Sequence, residues 1–250
     1  MATCPILVAM VREPILIVDD SPLNLKLIDL LLTHEGYETR TAASAEEALE
    51  ALAACHPCLV LADIQLPGMD GLELARRIKR DERTRGIPVV ALTAFAGPND
   101  EQKALEAGCD AYITKPIDTR TFCARLRGFL EGAAGEAPSA APPPAPRALP
   151  KAELEPLRRR FLQEGLDCAR QLLADVDGCF RPDQAGKAAH QWVGTAGMLG
   201  FTTISKLARE LEGVLAERPL DNAQLRESCE ALVAEFTSPS EAAGMRASPG

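Results

Sequence analysis

Residues 14–20 read PILIVDD, an unbroken apolar, β-branched run over Ile15–Val18 that ends in two aspartates, Asp19 and Asp20. Consecutive apolar residues without polar alternation suit a strand buried on both faces, as in a parallel sheet covered by helices. The signature recurs: Leu59–Leu61 runs toward Asp63, Ile87–Leu92 into Thr93, and Ala111–Thr114 into Lys115, with a weaker run at Tyr37–Thr41. Stretches of helical period lie between them, at Leu23–Glu35, Ala45–Ala54, Leu72–Lys79, Asn99–Ala107 and Thr119–Leu130. Five strands alternating with five helices predict an α/β fold with a five-stranded, parallel, doubly wound sheet.

The whole chain has 250 residues, enough for two average domains. With 46% apolar and 25% charged residues it can bury a sizeable core. Composition breaks sharply between Gly132 and Pro150, where six prolines and seven alanines leave hardly any large apolar residue to bury. This predicts a semi-stiff, polyproline-like linker over 132–150 between domains at 1–131 and 151–237, with a polar, disordered tail at 238–250. The second part lacks strand-like alternation and reads as four helices, Glu153–Val176, Pro182–Leu199, Thr203–Glu217 and Asn222–Phe236, punctuated by Pro182, Gly200 and Pro219. Short loops between amphipathic helices predict an all-α four-helix bundle. Net charge is −9, with 14 basic and 20 acidic residues through Glu131 and 13 and 16 after it. Neither half suits a phosphate backbone, so nucleic acid is not the expected partner. No run approaches the length of a membrane helix, and the short apolar run Cys4–Val11 has no positive segment before it to make a signal peptide. The expected location is the cytoplasm, with the eight cysteines reduced.

Chemistry in such a sheet collects at the carboxyl ends of the strands. Asp19, Asp20 and Asp63 converge there, and three like charges call for a hard divalent cation; oxygen ligands suit Mg²⁺. Thr93 adds a hydroxyl and Lys115 an ammonium on the same rim, both donors to phosphate oxygens. Each residue alone has an ordinary explanation, since an Asp after a strand commonly caps a helix. Together they are the parts for phosphoryl transfer to an aspartate. The segments ILIVDDSPLN, LVLADIQLPGMDG, VVALTAFA and DAYITKPID resemble those of a response-regulator receiver domain, over about residues 14–130. The resemblance implies Asp63 as phosphoacceptor and Mg²⁺ held by Asp19, Asp20, Asp63 and the main-chain carbonyl of Gln65. It implies Thr93 and Lys115 on the phosphoryl oxygens, a cis Lys115–Pro116 bond, and Thr93 with Tyr112 as the switch pair; a half-buried strand tyrosine is the plainer reading of Tyr112.

Of the three histidines, His34 ends the first helix, where a cation suits the dipole. His56 sits in Cys55-His56-Pro57-Cys58, whose spacing alone could bind metal, but no second pair accompanies it. His190 lies in AAHQWVGTAGMLG, where residues 189, 192, 193, 196 and 199 form an apolar helical stripe. His190, Gly194 and Gly197 share another face. Helical glycines cost roughly 1 kcal/mol each against alanine, so a pair beside one histidine suggests close approach of something else. A surface histidine beside a small-residue packing face is the plain alternative. An imidazole there could accept a phosphoryl group, which would require an exposed ring on an open face. His190, Gly194, Leu199-Gly200 and Leu211-Glu212 resemble the pattern of a histidine phosphotransfer (HPt) domain, over about residues 153–236. The family usually carries a lysine three residues after the histidine; here that position is Val193, and Lys187, one turn earlier, could partly supply the charge. The Arg158–Arg160 run reads as a solvated face.

The expected function is two-component phosphorelay signalling, with a receiver phosphorylated on Asp63 and a bundle carrying phosphate on His190. The implied partners are a sensor histidine kinase or another receiver or HPt protein. The alternative is a receiver switch whose bundle is catalytically silent and serves as a docking or dimerisation module. A conventional metabolic enzyme is not expected, because no phosphate-cradling glycine loop or nucleophile triad follows the linker. Limited proteolysis should cut first between Gly132 and Pro150, and the two fragments should each unfold cooperatively when isolated; a fragment without structure on its own would refute the division.

Overall fold

A computed structural model describes residues 13–93, 98–115, 117, 119–133, 151–217 and 219–240. The Pro/Ala span from 134, Pro116, the run Cys4–Val11 and the tail from 241 lie outside these residues. The first part alternates β1 (Ile15–Val18), α1 (Pro22–His34), β2 (Thr39–Ala42), α2 (Ala45–Ala54), β3 (Leu59–Asp63), α3 (Gly71–Arg80), β4 (Val89–Thr93), α4 (Pro98–Glu106), β5 (Ala111–Thr114) and α5 (Thr119–Ala133). The strands form one parallel sheet in the order β2-β1-β3-β4-β5. The order reverses direction between β1 and β3, so the crevice beyond their carboxyl ends is the topological switch point. Sequence boundaries and observed ones coincide for β1, α2, β5 and the helix Pro182–Leu199 and elsewhere differ by at most three residues, the largest difference being the end of α5. β3 extends through Asp63, and β4 starts at Val89, two residues after the predicted start at Ile87.

Local chemistry sets the helix starts. Ser21 accepts from the Asn24 N–H and Pro22 occupies the first turn of α1; Ser44 and Asp70 cap α2 and α3 in the same way. Side-chain alternation then sorts the strand residues onto two faces. Ile15, Ile17, Leu59, Leu61, Val90, Leu92 and Ile113 pack with α1 and α5. Leu16, Val18, Val60, Ala62, Val89 and Ala91 pack with α2, α3 and α4. Both faces are covered, which explains why these strands are apolar without alternation.

The second part is a bundle of α6 (Lys151–Asp175), α7 (Pro182–Leu199), α8 (Thr202–Ala216) and α9 (Asn222–Thr237). Phe161, Phe201, Trp192 and Phe236 form its aromatic centre, with ring centroids 5.2–5.8 Å apart. Gly165 of α6 lies where any β-carbon would overlap the Phe236 ring. α7 begins on Pro182 and ends at Gly200, which takes φ +85°, a left-handed conformation that suits glycine; the Phe201 N–H then closes the turn on the Ala196 carbonyl at 2.8 Å. Within the Arg158–Arg160 run, Arg158 departs from the expected solvated face, covering the Phe201 ring at 4.7 Å. α7 packs against α8 in the bundle and also against α1 of the sheet domain. The buried apolar residues of the α1/α5 face and of the bundle form one contiguous cluster.

One glycine ties the fold to the switch point. The Gly71 N–H donates to the Ile64 carbonyl at 2.9 Å, and a β-carbon on Gly71 would overlap the main-chain carbonyl of Asp63. Gly71→Ala should therefore push α3 off the end of β3 and destabilise the first domain by about 2 kcal/mol. A thermal melt that leaves Tm within error of wild type would refute this.

Candidate phosphotransfer site

The alternation that builds the core also builds the site. Asp19 continues the parity of Ile15 and Ile17, Asp63 that of Leu59 and Leu61, and Lys115 that of Ile113, so all three side chains emerge on the α1/α5 side. Parallel register sets Val18 beside Ala62, which makes Asp19 and Asp63 neighbours. The Lys115 ammonium bridges them, donating to Asp63 Oδ2 at 2.6 Å and Asp19 Oδ2 at 3.2 Å, with all three side chains at most 1% exposed. Asn24 donates its amide to both Asp19 oxygens at 3.0 and 3.2 Å, and the Ser21 N–H donates to Asp19 Oδ1 at 2.9 Å. The Gln65 N–H donates to Asp63 Oδ1 at 3.2 Å.

Thr93 and Tyr112 have the opposite parity. Thr93 is buried at the end of β4, and its carbonyl accepts the Lys115 N–H at 2.6 Å. Tyr112 is half-buried and packs on the α2/α3/α4 side; a hydrogen bond to Glu101 of α4 raises its pKa. Carboxylate oxygens of Asp19, Asp20 and Asp63 all lie within 4.8 Å of one another. This all-oxygen acidic donor set fits a hard divalent cation. Among the described residues no other His, Cys, Asp or Glu group has such geometry; His56 Nε2 instead lies 3.1 Å from the Arg83 carbonyl oxygen.

Burial and opposing charge pull these groups in different directions. Burial raises Asp19, and the Asp63 charge adds to it despite Lys115. Burial also raises half-buried Asp20, reinforced by Asp63 and opposed by Lys115, His190 and a hydrogen bond to Gln191. Burial pushes Asp63 upward as well, yet Lys115, followed by His190, outweighs it and holds the carboxyl below its usual range. Lys115 stays a firm cation, since Asp19 and Asp63 overcome the cost of its burial.

His190 stands across from this group. Its Nε2 is 3.7 Å from Asp63 Oδ2, an ion-pair distance, and makes no hydrogen bond within the described structure. Its Nδ1 lies 3.2 Å from Glu212 Oε1 on α8. Burial alone would lower the imidazole pKa, but the Asp63 and Glu212 carboxylates reverse that and hold it at about 9.

The expectation of an exposed histidine on an open face is thus corrected. His190 is only 5% exposed, because α7 rests on the sheet domain and is buried around nearly its whole circumference from Trp192 to Leu199. The glycine face is in use: a β-carbon on Gly194 would come within 3.1 Å of the Lys115 side chain. The cation nearest the His190–Asp63 gap is likewise Lys115, whereas Lys187 is exposed and Val193 is fully buried in the bundle. The structure adds four residues to the site. Glu212 belonged to the Leu-Glu pair of the motif, but its reach to His190 depends on α7–α8 packing. Asn24 accepts from the Thr195 hydroxyl at 2.5 Å, and Arg209 donates to the Lys115 carbonyl at 2.9 Å; both contacts join domains remote in sequence.

Comparison with known proteins agrees with this architecture. The family described as "Response regulator receiver domain" matches residues 15–127, and the "Hpt domain" family matches 156–238. The chain belongs to the response-regulator receiver family and joins its receiver to an Hpt domain, which makes it a two-component phosphorelay signalling protein. Among relatives, the polar-differentiation response regulator DivK of Brucella ovis is 44% identical over 118 residues, 47% of this chain and 96% of that protein. DivK of Brucella anthropi is 42% identical over the same length. Similar solved structures include the signal receiver domain of a histidine kinase from Syntrophus aciditrophicus, 33% identical, covering 52% of this chain and 98% of that one with a TM-score of 0.46. Another is the receiver domain of a Pseudomonas aeruginosa sensor histidine kinase, with magnesium coordinated in its active-site cleft; it is 31% identical, covers 50% of this chain and 99% of that one, and has a TM-score of 0.44.

Replacing Lys115 by Met should leave two buried carboxylates without their cation, at a cost of about 3–5 kcal/mol. Both carboxyl groups would then titrate above their unfolded values, so the folded state binds more protons and loses stability as pH rises. The deficit against wild type should therefore shrink as pH falls from about 7 toward about 5 in denaturant titrations; a deficit that grows on acidification would contradict the bridging role.

Proposed function

We propose that Asp63 is the phosphoacceptor of the receiver and that His190 is the phosphohistidine of the Hpt domain, in a relay that a sensor histidine kinase or another receiver or HPt protein feeds or drains. The observation that carries this reading is His190 Nε2 facing Asp63 Oδ2 at 3.7 Å while Glu212 engages Nδ1 at 3.2 Å. Once the imidazolium loses a proton, a carboxylate on Nδ1 keeps the remaining proton there and leaves Nε2, the atom directed at Asp63, as the free nitrogen. Asp19, Asp20 and Asp63, with the main-chain carbonyl of Gln65, would hold Mg²⁺, which when bound supplies charge neutralisation at the phosphoryl oxygens.

The chain's own residues do the rest. Asp63 Oδ2 is the nucleophilic atom toward a phosphodonor. Lys115, already 2.6 Å from that atom, offers its ammonium to the phosphoryl oxygens, and the Thr93 hydroxyl takes another. Thr93 and Tyr112, both on the α4 side, form the switch pair that reports the state of Asp63. Lys187 is a weaker candidate for positioning phosphate, being exposed one turn before His190. The domain limits keep the sequence division, with the receiver at 1–131, the linker at 132–150, the bundle at 151–237 and a tail beyond, except that α5 carries the receiver through Ala133 and takes two residues from the linker. The cytoplasm suits such a relay, and no described helix is long and apolar enough to cross a membrane. The fully buried Val193 favours a second reading, in which the bundle is a silent docking module.

A small acyl phosphate with Mg²⁺ should add one base-labile phosphoryl group to His190→Gln chains and none to Asp63→Asn chains or to any chain in chelator. Wild type should in addition gain an acid-labile, base-stable label that His190→Gln lacks. Undiminished uptake by Asp63→Asn rejects the Asp63 assignment, and a wild type that never gains the acid-labile label hands the bundle to the docking reading.

A further inference from the structure

We infer that the partner fitted to the His190 face is this chain's own receiver, so that the docked pair exchanges the phosphoryl group within one molecule and closes Asp63 to other proteins until α7 leaves. The inference rests on the Asp63 and His190 assignments above and adds where the exchange occurs and what gates it.

The fit is specific at three places on the receiver. On α1, the Asn24 side-chain nitrogen is committed to Asp19, which leaves its oxygen to accept from Thr195 of α7 at 2.5 Å. After β5, the Lys115 carbonyl accepts from Arg209 of α8 at 2.9 Å, and the Lys115 stem passes so close to α7 that only a glycine fits without adjustment at position 194. After β1, Asp20 meets Gln191 of α7. Asn24 and Thr195 are both nearly fully buried, which requires the two surfaces to close over them. The apolar residues beneath join the receiver face and the bundle into a single cluster.

Long-range charge does not draw these domains together, because both are acidic. The tether does: a linker of this length holds the partner at an effective concentration of roughly millimolar. In the exchange, the Asp63 carboxyl O–P bond breaks with its electron pair remaining on the carboxylate. The His190 imidazolium first gives its Nε2 proton to a solvent base; the freed Nε2 lone pair, with the remaining proton on Nδ1 toward Glu212, then forms the new N–P bond. The reverse step returns the group to Asp63. With Asp63 1% exposed in the docked state, a foreign kinase or receiver reaches it only by displacing α7.

The test uses full-length chains, an acyl phosphate donor and Mg²⁺. The rate of phospho-His190 formation per wild-type chain should not change over a hundredfold dilution. A mixture of Asp63→Asn chains with His190→Gln chains permits only transfer between molecules. At about 1 μM chain it should be slower by roughly a hundredfold or more and should quicken with concentration. Thr195→Arg, with its helical content verified by circular dichroism, should drop toward the mixture's rate while taking phosphate onto Asp63 several-fold faster. Gly194→Ala should show the same pattern more weakly. A mixture as fast as wild type, or a wild-type rate proportional to concentration, overturns the intramolecular exchange and leaves the phosphohistidine assignment standing. If His190 acquires no label in any arrangement, including from a separately phosphorylated receiver, the assignment itself fails and this inference with it.

Discussion

The Lys115 ammonium lodged between Asp19 and Asp63 is the contact on which the rest of the molecule turns. Two carboxylates almost wholly removed from water could not both stay ionised without a cation between them. Lys115 provides it at 2.6 and 3.2 Å from the end of a strand at the far side of the sheet. This pins the carboxyl ends of β1, β3 and β5 to one another and favours the charged form of Asp63. The same side chain forms the floor on which α7 lands at Gly194.

Docking of the bundle changes what the site is. An isolated receiver would present Asp63 at an open rim. Here the His190 imidazole faces it, the Thr195 hydroxyl and the Arg209 guanidinium fasten α7 and α8 to Asn24 and the Lys115 carbonyl, and the histidine gains Asp63 beside Glu212 as a second carboxylate neighbour. Glu212 on one side and Asp63 on the other lift the His190 pKa to about 9. The absence of the usual lysine beside the histidine is easier to understand in this arrangement, because the receiver's own lysine reaches the gap while position 193 packs inside the bundle.

The sheet and its chemistry were legible because both obey short-range rules. Short, β-branched apolar runs such as Ile15–Val18 suit strands covered on both faces, and Asp19, Asp63, Thr93 and Lys115 stand within two residues of such runs. Caps at Ser21, Ser44 and Asp70 follow the same local logic, so most element limits could be read within two residues. Close approach at the Gly194 face was legible, since glycines inside a helix have a propensity cost that something must offset. The openness of that site was not legible. Whether a helical face is bare or covered depends on a surface remote in sequence.

The sequence by itself determined the two folds, the residue types at the strand ends and the helix that carries His190, because periodicity, capping and strand polarity are properties of neighbouring residues. Tertiary structure alone decided that Asp63 and His190 face each other across 3.7 Å, that Glu212 engages the imidazole, and that Asn24 and Thr195 meet. These contacts link residues 22 to 171 positions apart. They arise from how whole elements pack, and no local pattern encodes that packing.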